Sequence, residues 1–150
     1  MLETGDLVLL AHSGQPGKVA LVAEHIVDVA QQPQATPIFV LADAFGDRCP
    51  VRTTELAPDT LLDVDGVLVP VAALVNGISV LRFGAVQSAR YVALETEDHG
   101  IVTVNGLGVA TFLASDRACR PVADARGISR ARAVVDARVG LFSDADRARR

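Results

Sequence analysis

Tryptophan is absent from this chain of 150 residues, and tyrosine, methionine and lysine (Lys18) occur once each. Five phenylalanines complete the aromatic count. A chain of this length can bury a real core, and here that core must come from Val, Leu, Ile and Ala. The two cysteines, Cys49 and Cys119, form no Cys-x-x-Cys pair, so no metal site is expected. A disulfide between them stays open, because sequence does not give their Cα separation; two thiols are the default. Met1 is followed by no basic segment leading into an apolar run and a cleavage site. No signal peptide is therefore expected on this chain; the compartment is left undetermined, with the cytoplasm as default. Every apolar run is broken by Gly, Pro or charge within about a dozen residues, too short to span a bilayer, and no membrane role is expected. Nor is there a basic stripe. The formal net charge is −4, and a nucleic-acid partner is not expected. Only the tail is Arg-dense, and there Asp124, Asp136, Asp144 and Asp146 offset it, as in a solvated segment.

Half the residues are apolar, which excludes a disordered chain. The preference for Arg over Lys, with many alanines, fits a GC-rich bacterial genome and says nothing of activity. The most organised stretch is 91–113. At its centre is Asn105-Gly106, a dipeptide that favours a two-residue hairpin turn with φ > 0 at both positions. About forty residues earlier, Leu61-Leu62-Asp63-Val64-Asp65-Gly66-Val67-Leu68-Val69 has the pattern of Ile101-Val102-Thr103-Val104-Asn105-Gly106-Leu107-Gly108-Val109. Turn aligns with turn, valines with valines, and Asp59 with His99. Two copies of one hairpin predict a duplicated unit with internal pseudo-symmetry.

In chain order, residues 7–10 read as a buried strand and 12–17 as a loop. Residues 19–30 are ambiguous. Their apolar positions have helical spacing, yet Ile26, Val27 and Val29 are β-branched. Strands are predicted at 37–41, 51–55 and 91–95, hairpins at 61–71 and 101–112, and an Asn76-Gly77 turn between them. Pro70 lacks an N–H and should lie at an edge or a bulge. Short strands about ten residues apart, separated by Asp-Gly and Asn-Gly turns, argue an all-β domain. Residues 129–139 predict a short helix stopped by Gly140, and the last eight residues a frayed end.

Three stretches together, 2–9, 59–79 and 91–113, resemble the bacterial Hedgehog/intein, or Hint, domains. The specific combination is Val67-Leu68-Val69-Pro70, then Leu74-Val75-Asn76-Gly77, then Leu94-Glu95 followed by His99. The resemblance covers roughly 2–115. It implies a Hint-type flat β disk of two pseudo-symmetric halves, residues 1–115, followed by a helical or irregular extension, 116–150. It also implies that 19–30 is extended.

Active members of that family process themselves. A Cys at the head attacks the preceding peptide carbonyl, a Thr-x-x-His element polarises that peptide, and a later His assists proton transfer; in splicing members a terminal His-Asn completes cleavage. This sequence departs at nearly every such position. No Cys or Ser stands at the head. Leu56-Ala57-Pro58-Asp59-Thr60 puts Thr60 where the resemblance expects His, and a hydroxyl does not titrate near neutrality as imidazole does. Ala110-Thr111 replace the His-Asn pair. His99 remains as a vestigial candidate, best read as bonding the start of the second hairpin. No catalytic residue is assigned, and Cys49, Cys119, His12 and His25 are read as incidental. Asn76 and Asn105 serve turn geometry.

The expectation is a Hint-fold module without self-processing, needing no cofactor and serving in structure or protein–protein interaction. Without a head strand, an exposed sheet edge should bind a protein partner or a second copy. The alternative is an autoprocessing domain whose nucleophile lies outside this chain.

Overall fold

The short apolar runs and their turn dipeptides do fold as strands. The computed structural model describes residues 5, 7–9, 16–82, 87–96, 100–111 and 121–142. Among these lie β1 (Leu7–Leu9), β2 (Pro16–Asp28), β3 (Ile38–Val40), β4 (Thr54–Leu56), β5 (Leu61–Val64), β6 (Val67–Pro70), β7 (Val80–Arg82), β8 (Ser88–Thr96), β9 (Ile101–Val104), β10 (Leu107–Ala110) and one α-helix, α1 (Ala125–Asp136). All strand pairs are antiparallel, in three sheets ordered β1-β2-β8, β6-β5-β10-β9 and β4-β3-β7. The protein is mostly β with one short C-terminal helix.

The two matching hairpins lie side by side in the four-stranded sheet. Asp65 and Gly66 have φ 51° and 85°, and Asn105 and Gly106 have φ 50° and 91°, so the turns share one backbone form. Their registers match as well: Val64 faces Val67, and Val104 faces Leu107. Leu62 faces Val69 on one side and Val109 on the other, and Val109 in turn faces Val102. Val69, Leu62, Val109 and Val102 therefore make one rung across all four strands. In the sequence alignment 62 matches 102 and 69 matches 109, and matching strands run the same way. A shift of two strand spacings across the sheet, about 9.5 Å, relates the copies.

The face bearing that rung packs into an aliphatic core with Ile38, Val40, Leu74, Val80, Ala131 and Val135, all 2% exposed or less. Pro70 ends β6, an edge strand, where its missing N–H costs no ladder bond. The outer edge of β6 is covered. Leu68 N–H donates to the Pro121 carbonyl at 2.9 Å, and Ala123 N–H to the Leu68 carbonyl at 2.8 Å.

Several boundaries depart from the sequence reading. Residues 16 and 17, assigned to a loop, begin β2, and the ambiguous 19–30 is extended through Asp28. Its nine paired positions on β8 outweigh the helical spacing. The strand expected at 51–55 is shifted to β4. The expected Asn76-Gly77 turn is present, with Gly77 at φ 74°, though it closes no hairpin. The Asn76 Oδ1 accepts from the backbone N–H of Ile78, Ser79 and Val80 at 2.9–3.0 Å, a side-chain-built loop that leads into β7. The helix starts four residues early, because Asp124 caps it: its carboxylate accepts from Gly127 N–H at 2.8 Å. It ends at Asp136, and a separate 3-10 turn, Val139–Leu141, spans Gly140. Gly127, Ala131 and Val135 form its buried face, packed on β6 and the 3-10 turn Val71–Leu74. The frayed end expected after residue 142 lies outside the described residues.

The second turn is clamped and the first is free. A Cβ on Gly106 would stand 2.9 Å from the Arg48 carbonyl oxygen, whereas one on Gly66 meets nothing within 4 Å. Gly66→Ala should cost about 1–2 kcal/mol, from backbone strain at positive φ. Gly106→Ala should cost clearly more, since the 48–51 loop must also move. Urea unfolding of both variants checks this; equal losses would show that the loop is not seated on the second turn.

Candidate functional site

The register of the four-stranded sheet sets Thr60 and Thr111, the positions where the resemblance expects His and Asn, at one end of the sheet. Leu62 pairs with Val109 antiparallel, so Thr60, two residues before Leu62, and Thr111, two residues after Val109, stand at the same end of the β5–β10 ladder. Thr60 is half-buried and tied into a turn. Its N–H donates to the Ala57 carbonyl at 3.0 Å, and its carbonyl accepts from Val71 N–H at 2.9 Å.

Thr111 is buried, with 5% exposure, and its hydroxyl has structural work. It donates to the Gly100 carbonyl at 3.1 Å and accepts from Gly100 N–H at 3.2 Å. The hydroxyl of Thr96, also buried, lies 3.4 Å away. Thr111 N–H adds a bond to the same Gly100 carbonyl at 2.9 Å. The end of the sheet is thus sealed by two threonines around the Gly100 peptide. Thr96 carries no signal of its own in the sequence, whereas the two-residue Asn105-Gly106 turn, counted outward, places residue 111 opposite 100. His99 and Cys119 lie outside the described residues.

Chemically, Thr60, Thr96 and Thr111 each offer a hydroxyl. None of Thr60, Thr96 and Thr111 titrates near neutrality, so none can serve as a proton shuttle there. Among the described residues, no group of three His, Cys, Asp or Glu side chains gathers to hold a metal ion.

A second feature lies beside the clamped turn. A cleft of about 200 Å³ is lined by Cys49, Phe45, Asp63, Asp65, Gly106 and Val134 among others. The Cys49 thiol donates to the Gly106 carbonyl at 3.5 Å. Burial pushes this thiol's pKa up, and the positive charge of Arg138 offsets part of that rise. A nucleophilic cysteine needs the opposite shift, and here the thiol is bonded to the turn it packs against. Asn105 ties the same turn down, its Nδ2 donating to Thr54 Oγ1 at 3.0 Å.

On β8, the Tyr91 hydroxyl donates to the Ala35 carbonyl, and the exposed His25 ring lies 5.9 Å from the Tyr91 ring. Burial raises the phenol's pKa, and the negative charges of Glu55 and Asp59 raise it further. No catalytic partner for Tyr91 appears among the described residues, and the contact fastens β8 to the loop before β3.

Thr111→Val should cost about 1–3 kcal/mol, because it leaves the buried Gly100 N–H without its acceptor. Thr111→Ser keeps the hydroxyl and should retain most of that stability. Chemical denaturation separates the two, and a Ser variant weaker than the Val variant would contradict the hydrogen-bond account. For Cys49, a raised folded pKa means its contribution to stability is present below the ordinary thiol range and lost as pH rises through the folded value. In a Cys119→Ser background, alkylation of folded Cys49 should follow a pH profile displaced upward from that of the urea-unfolded chain. A profile displaced downward would mark an activated thiol.

No helix among the described residues is long and apolar enough to cross a membrane. No curated protein and no solved structure matches the chain significantly. The family model described as "Hint domain" matches residues 1–116, a span that takes in all ten strands and the threonine-sealed end of the central sheet. The chain belongs to the Hint domain family.

Proposed function

We propose that this is a Hint-fold module that does not process itself and that acts through contact with another protein. The observation that supports it best is the occupation of Thr111. Where the resemblance expects the terminal Asn, a threonine hydroxyl is bonded to both the N–H and the carbonyl of Gly100. The sealed end holds the sheet together and leaves no proton-transferring group at positions 60 and 111. Thr60, at the expected His, fits the same reading.

Two further features favour protein contact. The β2–β8 ribbon runs for nine residue pairs with a partner strand on one side only over most of its length, among the described residues. Its outer face carries Ile26 and Val92, 73% and 62% exposed. Open strand edges beside exposed apolar residues are sites where another chain can pair.

Processing is tested with folded reporters fused to both ends of the full chain, as such and with Met1→Cys to supply a head nucleophile. Both fusions should keep their intact mass through incubation with dithiothreitol or hydroxylamine. Release of a reporter from either one, seen by mass spectrometry, would overturn the non-processing reading.

A further inference from the structure

The hydrogen-bond parity of the β2–β8 ribbon decides which backbone groups lie on its edges. Val29 N–H donates to the Gln87 carbonyl at 3.0 Å, in line with the ladder that pairs Asp28 with Ser88. Antiparallel ladders alternate, so the odd-numbered residues of β8 bond inward to β2. The N–H and C=O groups of Ser88, Arg90, Val92 and Leu94 therefore point away from β2. By the same parity, those of Val22, Glu24, Ile26 and Asp28 point outward from β2. Among the described residues no strand pairs with the outer edge of β8. The fold covers the edge of β6 with residues 121–123, whereas β8 has no Pro, no Lys and no bulge of its own, and its charged residues Arg90 and Glu95 disfavour some pairing registers without blocking all of them.

The two edges differ in what a second copy would meet. On the β2 edge, two-fold pairing about Glu24 opposes Glu24 to itself. Pairing about His25 sets Glu24 against Ile26 and Val22 against Asp28. Pairing about Ile26 sets Glu24 against Asp28 twice. Each register opposes like charges or buries a charge against an apolar side chain. On the β8 edge, pairing about Val92 puts Arg90 against Leu94, and pairing about Arg90 opposes two guanidinium groups. Pairing about Ala93 does neither. It sets Val92 of one copy beside Leu94 of the other, twice by symmetry, with Tyr91 opposite Glu95. The rung then reads Glu24–Val92 in one copy and Leu94–Val22 in the other, three apolar side chains in a row on one face. Val92 and Leu94 also present their outward backbone groups to each other, so that pair is hydrogen-bonded.

We infer that a second copy of this chain pairs antiparallel along the outer edge of β8, about Ala93, to give a continuous sheet ordered β2-β8-β8-β2. This rests on the reading that the module works by protein contact, and it names the partner as the chain itself. A two-fold contact of this kind is self-complementary and closes at two copies. Pairing β2 to β8 between copies would leave open ends and grow into filaments.

In this register Ala93 faces its own counterpart at a non-hydrogen-bonded pair. The Cα separation there is about 4.5 Å, within the range disulfides take. The test uses the full chain in a Cys49→Ser/Cys119→Ser background. Ala93→Cys should give a disulfide-linked dimer under mild oxidation, and Arg90→Cys, whose counterpart lies away from it, should not. Light scattering should find the wild-type protein dimeric. Val92→Lys should weaken association at least tenfold without loss of folding by circular dichroism, because Val92 is mostly exposed in the single chain. Val122→Lys, at another exposed apolar residue, should leave association unchanged. A monomer at high concentration, a filament, or cross-linking at 90 in preference to 93 would each overturn the inference. None of these bears on the fusion masses, so the non-processing reading stands or falls separately.

Discussion

A slip of one residue in either two-residue turn would send the apolar side chains of the central sheet to the wrong face. The fold depends on that not happening. Asp65-Gly66 and Asn105-Gly106 hold their hairpins in register, and the rung Val69–Leu62–Val109–Val102 carries it across four strands. Everything placed by the sheet follows. One face is committed to an aliphatic core, as a chain without tryptophan requires. Thr60 and Thr111 arrive at one end of the ladder, and Gly100 lies opposite Thr111. The second turn has a further constraint in the loop packed over Gly106, which the first turn does not share.

Much of this was legible beforehand, because turn chemistry and β-branched runs are local signals. The paired hairpins, the edge position of Pro70 and the extended state of residues 19–28 belong to this class, the last only through family resemblance. What escaped was set by contacts between distant residues. The helix begins at an Asp124 cap, but Gly127 in its first turn weakens the local signal; that glycine is there because a Cβ would approach Ala123 to 2.8 Å. Asn76-Gly77 has the spelling of a hairpin turn, yet the Asn76 side chain takes three backbone N–H groups and builds a loop instead. The Thr96–Thr111 contact joins the end of β8 to the residue just after β10, in another sheet, and no local pattern in either stretch announces it.

On the proposed reading, the threonine end of the central sheet, where the resemblance sets the family's chemistry, and the ribbon proposed for partner contact are at different places in the fold. The first is closed by short hydroxyl side chains that hold a peptide in position. The second is a two-stranded ribbon whose apolar face and outer edge have no cover among the described residues. The segment after the family match supplies cover elsewhere: residues 121–123 line the edge of β6, and Ala131, Val135 and Phe142 enter the common core. Arg138 adds bonds to the Asp43 carbonyl at 2.9 Å and the Asp47 carboxylate at 3.0 Å. Among the described residues one sheet edge is thus protected and another has no paired strand, which is the physical basis of the proposed surface recognition.

The central claim of the proposal is that the threonine-sealed end of the β5–β10 ladder is part of the folded framework and does not act as a reaction centre. Native-state amide hydrogen exchange at Gly100 and Thr111 tests it most directly. The account predicts that both amides exchange only with global unfolding, at the rate of the Leu62 and Val109 amides in the sheet. Exchange at the rate of an open loop, while the sheet stays protected, would contradict it.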